Sequence, residues 1–207
     1  MSGEARLEVL SRIYKAGAKP GQEPAPAPAP RSVRPHHETV EQFAEYAAEY
    51  RAQVRCCTGA EVPATLLDLL VGERVIVPAG LPADFLSGGL DTEQDSGQDH
   101  RTLGTYGAVL TTCAVAIAET GTVVLDHGPG QGRRALTLIP DHHVCVVYES
   151  QVVESMPEGV AALGTAVRAG QPLTMISGPS ATSDIELSRV EGVHGPRRLD
   201  IVLVSGR

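Results

Sequence analysis

Five short apolar runs, each bounded by Gly, Pro or Asp, constrain the fold of this 207-residue chain more than any other feature. Residues 156–168 lie between two of these runs and place Val160, Leu163 and Val167 on one face of a helix that Gly170 ends. Strand, helix and strand at this spacing predict a βαβ unit. We therefore predict an α/β fold with a mostly parallel sheet covered by helices on both faces. The runs cover residues 108–112, 122–125, 144–148, 173–176 and 199–204.

The composition indicates which residues fill the core. Hydrophobic residues make up 42% of the chain, but there is no Trp and there are only two Phe. Val, Leu, Ile and Ala must therefore supply the packing, which favours β-branched strands beneath Ala-rich helices. A chain of this length buries roughly 70% of its unfolded surface, which is enough for one ordinary domain.

The charge and the hydropathy pattern exclude several classes of partner. A net charge of −8 at pH 7 argues against nucleic acid and against anionic membrane surfaces. No run approaches the roughly 18 consecutive apolar residues of a membrane span. Residues 1–19 carry charges where a signal peptide has its apolar centre. We therefore expect no nucleic acid partner, no membrane span and a cytoplasmic location.

The chain is predicted to contain three segments. Leu7, Leu10, Ile13 and Tyr14 repeat at helical spacing and indicate an N-terminal helix within residues 1–18. Alternating Pro and Ala then predict an extended linker over residues 19–37. The α/β domain is expected to occupy residues 38–207.

The first half of that domain is predicted to be mainly helical. Thr39 and Gln42 form a capping box for a helix that runs through Phe43 to Val54. A second helix over residues 64–71 precedes a strand over residues 74–77. Residues 81–101 are rich in Gly, Asp, Ser and Gln and are expected to form an irregular surface connection.

Cysteine and histidine do not form a metal pattern. Cys56, Cys57, Cys113 and Cys145 include no Cys-x-x-Cys pair and are predicted to be buried, reduced side chains. The pairs His36-His37 and His142-His143 lack the i, i+4 spacing of a helical zinc site. We therefore predict no metal and no cofactor bound by this chain.

The stretch Ser177-Gly178-Pro179-Ser180 directly follows an apolar strand. Ligands of open α/β sheets bind beyond the carboxyl ends of strands, so Ser177, Gly178 and Ser180 are candidate ligand-binding residues. Ser, Gly and Pro are also common turn residues, and an N-capped turn explains the stretch equally well.

His194 lies in the sequence Gly192-Val193-His194-Gly195-Pro196 and is a candidate catalytic residue. Histidine titrates near neutral pH and can donate or accept a proton. The upstream carboxylates of Asp184 and Glu186 are candidate partners in the same ligand site. The simpler alternative is a histidine that hydrogen-bonds its own turn.

Glu119 precedes Thr120-Gly121-Thr122 and the next apolar run. It is a candidate general base, covalent carboxylate or orienting group, and it could equally cap backbone N–H groups. Thr120, Gly121 and Thr122 are candidate ligand-binding residues. Downstream, three glycines lead into Arg133 and Arg134, of which Arg133 is the candidate clamp for an anion. Because the glycines match no phosphate-binding fingerprint, a loop with solvated arginines is the alternative.

These motifs together resemble the LUD-domain family, and within it the lactate-utilisation protein C group. The resemblance rests on residues 118–122, on Gly132-Arg133 with Pro140, on residues 177–186 and on residues 192–196. It implies a three-layer α/β/α domain similar to the sugar-phosphate isomerase and coenzyme A transferase-like superfamily. It also implies a place in a bacterial system that oxidises L-lactate to pyruvate, with iron–sulfur clusters in partner proteins. The acidic loop over residues 91–99 has no counterpart in the family's motifs.

Two functions from different classes follow. The first is an accessory or ligand-binding subunit without its own cluster, which binds a small carboxylate or other anionic ligand and works with the iron–sulfur proteins. The second is a free-standing enzyme of the isomerase or acyl-transferase type that uses Glu119 and His194 in acid–base chemistry. A purely structural scaffold is a third possibility, and a homo-oligomer is compatible with each of them.

Overall fold

A computed structural model describes residues 3–17, 34–179 and 195–206. In these ranges the chain forms α1 (Gly3–Lys15), α2 (His36–Glu49), β1 (Gln53–Thr58), α3 (Val62–Leu70), β2 (Arg74–Val77), β3 (Asp91–Gln94), α4 (His100–Leu103), β4 (Ala108–Thr112), β5 (Val115–Ile117), β6 (Thr122–Leu125), β7 (His142–Tyr148), β8 (Val152–Val153), α5 (Met156–Ala162), α6 (Gly164–Arg168), β9 (Thr174–Ile176) and β10 (Arg198–Ser205). Short 3₁₀ turns cover Ala83–Leu86, Ala118–Thr120, Arg134–Thr137 and Glu149–Gln151. No helix in the described ranges is long and apolar enough to cross a membrane.

A six-stranded, fully parallel sheet forms the centre of the fold, with the strand order β1-β10-β7-β4-β2-β3. Its central strands are buried on both faces, as a parallel sheet covered by other layers requires. One face packs against α3, where Leu66 and Leu70 meet Val144 and Val202. The other face packs against Phe43 and Ala47 of α2. These layers confirm the predicted three-layer α/β/α arrangement with a parallel sheet.

A second, four-stranded sheet lies on the α2 face, with the order β8-β5-β6-β9. Val123 and Leu125 of β6 share a core with Cys145 and Leu203 of the main sheet. Strand β9 pairs antiparallel with β6 and does not return to the main sheet. The βαβ unit predicted through residues 156–176 is therefore wrong, although the parallel sheet itself is confirmed. The helix predicted over residues 156–168 is divided into α5 and α6 at Leu163.

The predicted boundaries of β2, β4 and β6 are confirmed, and two other predictions are wrong. The helix expected to reach Val54 ends at Glu49, and Val54 belongs to β1, because Arg51 takes a left-handed backbone conformation (φ 69°) that no α-helix continues through. The segment over residues 81–101 is also more regular than expected. It contains the buried Phe85 and the edge strand β3.

The N-terminal predictions are only partly testable. Helix α1 lies within the predicted segment 1–18, and its apolar side chains, including Leu7 and Tyr14, are exposed. Most of the predicted linker over residues 19–37 lies outside the described residues, and α2 already begins at His36.

Candidate functional site

The carboxyl ends of β2 and β4 meet where the sheet reverses its winding direction, which is the usual ligand crevice of an open α/β sheet. Here the chain fills that crevice itself. The N–H of Thr112 donates to the carbonyl of Gly130 (2.8 Å), and the N–H of Gly130 donates to the carbonyl of Ala79 (2.8 Å). A Cβ on Gly130 would lie 2.7 Å from Oγ1 of Thr112. We name residues 126–132, which cross these strand ends, the plug loop.

Arg133 directly follows the plug loop and is held by an acidic partner. Its Nε and Nη2 donate to the two carboxylate oxygens of Asp95 at 2.8 and 2.9 Å, and Nη2 also donates to the carbonyl of Gln98 at 2.6 Å. This hydrogen bonding holds the pKa of Asp95 below its usual range. The loop over residues 91–99 thus contacts a motif residue, and the guanidinium of Arg133 is committed to an internal pair.

The Thr120-Gly121-Thr122 and Ser177-Gly178 turns meet against the end of α2. A Cβ on Gly121 would overlap the backbone N of Ala47, and a Cβ on Gly178 would overlap the carbonyl oxygen of Tyr50. Both glycines also have positive φ angles, of 57° and 86°. Only glycine satisfies both requirements without strain, so these positions serve close packing of the turns on the helix.

The hydroxyl groups of the same two turns form a chain. Oγ1 of Thr122 lies 2.7 Å from Oγ1 of Thr120 and 2.6 Å from Oγ of Ser177. The hydroxyl of Thr122 lies in the middle of the three and belongs to a buried residue, whereas Ser177 at one end is exposed. The structure therefore brings together three of the predicted ligand-binding hydroxyl groups.

Glu119 does not join this group. Its Oε1 accepts a hydrogen bond from the backbone N of Met156 (2.9 Å), and its own N–H donates to the carbonyl of Glu154 (3.1 Å). Met156 is the first residue of α5, so the carboxylate satisfies a free N–H group of that helix and lies at its positive end. The observed contacts of Glu119 are those of a helix cap.

A cavity of about 160 Å³ opens beside Ser177, between β9 and the first residues of β7 and β10. Its walls combine the apolar side chains of Leu138, Ile176 and Leu199 with polar groups from Arg134 and His143. The motif segments 177–179 and 195–196 also line it. It is smaller than the roughly 300–1,000 Å³ cavities that hold drug-sized ligands. It therefore suits a ligand of few atoms.

His143 is the buried polar group of this cavity. Its side chain is fully buried on the α2 face of β7, and Nε2 lies 2.8 Å from Oγ1 of Thr111 on the neighbouring β4. Nδ1 has no hydrogen-bond partner among the described residues. Burial, together with the adjacent His142, lowers the pKa of His143 to about 3, so the imidazole is neutral at physiological pH.

Arg134 also lines this cavity, and its side chain is exposed. Its guanidinium forms no ion pair with any described carboxylate, unlike its neighbour Arg133. The nearby Thr174 forms a hydrogen bond with His127, and its Oγ1 lies 2.9 Å from Nε2 of that histidine. His127 in turn donates from Nδ1 to the carbonyl of Gly132 (2.7 Å), which ties the plug loop to β9.

The remaining predicted site residues fall outside the described ranges. These residues are Ser180, Asp184, Glu186 and His194. Pro179 and Gly195, the described residues on either side of that stretch, both line the cavity.

From the sequence, Arg133 rather than Arg134 is the predicted anion clamp, and His143 is noted only in a His-His pair that lacks metal spacing. The identity of the free arginine depends on Asp95, which is remote in sequence from both candidates. For His143 a signal was available, because an ionisable residue directly precedes the apolar run over residues 144–148. Such a residue in a buried strand is a candidate functional group.

The described residues include no group of three or more His, Cys, Asp or Glu side chains placed to hold a metal ion. Cys113 and Cys145 are buried as predicted, whereas Cys56 is exposed and Cys57 is half-buried, because β1 is an edge strand. A hydrogen bond with Cys145, together with burial, raises the pKa of the Cys113 thiol well above its ordinary value. This thiol is therefore protonated at neutral pH and is not a thiolate nucleophile.

A separate buried pair lies on the opposite face of the main sheet. Nε2 of His142 is 2.8 Å from Oδ2 of Asp200, and Nε of Arg198 is 2.6 Å from the same oxygen. Burial acts to raise the pKa of Asp200, but the hydrogen bonds from His142 and Arg198 outweigh it and lower that pKa. Both members of the pair are almost completely buried, so this cluster ties β7 to β10 and does not face the cavity.

Comparisons with known proteins give the same family throughout. The family model described as LUD domain matches residues 76–204. A Deinococcus radiodurans protein named Lactate utilization protein C is 50% identical over 207 residues, covering 98% of this chain and 97% of that protein. A protein of the same name from Halalkalibacterium halodurans is 36% identical over 102 residues, covering 47% of this chain and 44% of that protein. The crystal structure of a DUF162 family protein from Deinococcus radiodurans is 45% identical, with a TM-score of 0.75, and the match covers 83% of this chain and 99% of that one. The chain therefore belongs to the LUD-domain family.

Proposed function

We propose that this protein is a component of a bacterial L-lactate utilisation system and binds a small ligand in the cavity beside Ser177. It works with iron–sulfur partner proteins in the cytoplasm and carries no cofactor of its own. The near full-length relative named Lactate utilization protein C supports the system. The observation that supports the binding role is the convergence of motif segments 177–179 and 195–196 on one cavity, which is also lined by Arg134, an arginine with no ion pair to a described carboxylate.

The alternative is a free-standing enzyme in which Glu119 and His194 transfer protons. The described contacts of Glu119 are those of a helix cap, and its side chain is exposed. A general acid or base needs hydrogen-bond reach to a bound substrate, and the cavity is lined by other residues. The described geometry therefore favours binding over acid–base catalysis.

The experiment reconstitutes the system. The purified chain is mixed with the two iron–sulfur proteins of the system, and L-lactate-dependent dye reduction is followed with and without the chain. A rate that requires the chain supports the proposal, and an equal rate without it refutes a working role in lactate oxidation. The Glu119→Gln variant, checked for an unchanged melting temperature, tests the alternative. We expect it to retain the rate, whereas an acid–base role for Glu119 requires the rate to be lost.

A further inference from the structure

We propose that α1 of one copy of this chain packs on the exposed face of α3 in a second copy, so that two copies exchange their N-terminal helices and form a symmetric dimer. This inference is independent of the cavity beside Ser177 and of the role in lactate utilisation. It assigns a partner to two apolar helix faces that are exposed in the described structure.

Helix α1 carries an exposed apolar stripe. Leu7, Leu10 and Tyr14 follow the i, i+3, i+7 spacing of one helix face, and all three line a single groove on the helix surface. Their side chains are 69%, 38% and 57% exposed. A helix of 13 residues is only marginally stable in water by itself, so α1 needs a surface on which to pack.

The outer face of α3 carries a matching stripe. Helices that cover a sheet usually present polar residues to solvent, but Asp68 is the one charged residue among the nine residues of α3. Ala64 and Leu67, together with Val71 directly after the helix, repeat the i, i+3, i+7 spacing on the exposed side. Each stripe extends about 10 Å along its helix axis, so the two stripes can pack side by side.

The helix and the receiving face carry opposite charges. Helix α1 contains three basic and two acidic side chains. Residues 61–95, which include α3 and the 3₁₀ turn packed on it, contain seven acidic side chains and one basic side chain. The exposed Asp84 lies in that turn, beside α3. Electrostatic attraction therefore favours this pairing, although two copies of an acidic protein otherwise repel each other.

The point at which the chain enters the domain favours a second copy over the chain's own α3. Arg34 pairs with Glu154 at 3.4 Å, and Nε2 of His36, at the start of α2, lies 3.0 Å from the carbonyl oxygen of Glu149. Helix α2 covers one face of the main sheet, whereas α3 covers the opposite face. Residues 18–33 are rich in Pro and Ala and reach about 50 Å when extended, and Pro-rich linkers resist folding back around the edge of a sheet. Exchange between two copies closes with two-fold symmetry and forms the same contact twice.

The test measures the mass of the full-length chain by size-exclusion chromatography with multi-angle light scattering over a range of concentrations. We expect a dimer. Leu10→Asp should raise the dissociation constant of the dimer by about a hundredfold or more, because each dimer loses the apolar contact twice. The matched control is Val9→Asp, at an exposed residue about 100° around the same helix, which should leave the dimer intact. An unmodified chain that stays monomeric overturns the proposal, as do equal effects of the two variants.

Variants of α3 test the receiving face. Leu67→Asp should also give a monomer, whereas Val160→Asp, at an exposed apolar residue of α5, should not. Val71→Asp repeats the test at a side chain that is 73% exposed if Leu67→Asp fails to fold. A dimer that persists in the folded α3 variants overturns the proposal, because α1 must then pair with another surface.

Mixing the two kinds of variant tests exchange directly. The Leu10→Asp chain keeps an intact receiving face, and the Leu67→Asp chain keeps an intact helix. An equimolar mixture should therefore form a heterodimer through one intact contact, although each variant alone is monomeric. Association of the mixture no stronger than that of the separate variants overturns the exchange of helices.

Discussion

Replacing Gly121 by Ala tests whether the Thr-Gly-Thr turn is built for contact with α2. The added Cβ would overlap the backbone N of Ala47 and lie 2.7 Å from its Cα, whereas real Cβ atoms essentially never come within 3.0 Å of a heavy atom. The backbone of α2 cannot move without disturbing Phe43 and Ala47 in the core. Overpacking of this kind costs about 1–3 kcal/mol. The left-handed conformation of Gly121 adds roughly 1–2 kcal/mol for any residue with a Cβ.

The matched control is Gly72→Ala. Gly72 also has a positive φ angle, of 76°, but a Cβ there meets no atom within 4 Å. Both variants therefore share the backbone strain and the loss of unfolded-state freedom. The difference between them isolates the close approach, and we expect Gly121→Ala to lower the free energy of unfolding by about 1–3 kcal/mol more.

Urea unfolding followed by far-UV circular dichroism gives both values, since the chain has no Trp. The slope of unfolding free energy against urea should be unchanged, because neither variant alters the surface exposed on unfolding. Equal destabilisation by the two variants would refute the packing explanation. It would leave only backbone conformation as the reason for glycine at position 121.

Three further predictions follow from the charged groups. The imidazole resonances of His143 should not titrate between pH 8 and 5 in NMR spectra, and a midpoint near pH 6.5 would contradict its burial. Because its folded-state pKa is about 3, the stability that the neutral imidazole contributes should be complete above pH ~6.5 and should decline as the pH falls from there towards 3. Asp200→Asn should lower the free energy of unfolding in urea by about 3–5 kcal/mol, whereas Asp141→Asn, which removes an exposed pair, should lower it by less than about 1 kcal/mol. Because the folded-state pKa of Asp200 is lowered, the stability that its carboxylate contributes should be lost only as the pH falls below ~3.9. Equal costs for the two variants would show that the buried pair is not stabilising. Arg133→Gln should lower the free energy of unfolding by about 1 kcal/mol. It should also let the pKa of the Asp95 carboxyl group, followed by NMR, rise towards its usual value, and an unchanged titration of Asp95 would refute the pairing.

The strands that could be predicted from the sequence are those whose bounds are set by their own apolar residues and by the turn residues beside them. β2, β4 and β6 are apolar runs with clear turn residues at their ends, and their bounds match the structure. β3 has the sequence Asp-Thr-Glu-Gln and becomes a strand only because β2 offers a free edge. That information is non-local, as is the antiparallel pairing that puts β9 into the second sheet.

In the candidate site, too, local motifs could be predicted from the sequence, and contacts between distant segments could not. The motifs that contain Gly121, Ser177 and Gly178 were found from the sequence, and the structure brings them together. Their contact with α2, however, is made between segments far apart in the chain. The choice between Arg133 and Arg134 likewise depends on Asp95, because an ion pair across the fold decides which guanidinium remains available.

The plug loop limits how this fold can acquire new functions. In open α/β sheets, nucleotide cofactors lie at the carboxyl ends of the strands, at the point where the winding direction reverses. In this chain that point is the gap between β2 and β4. Here the main chain of Gly130 hydrogen-bonds to Thr112 of β4 and to Ala79 just after β2, so a nucleotide would have to displace backbone hydrogen bonds rather than side chains. Point substitutions cannot clear such a gap. A protein engineer who wants a dinucleotide in this scaffold would have to delete and rejoin the segment between β6 and the turn at Arg134–Thr137, and would also have to replace its tie to β9 through His127.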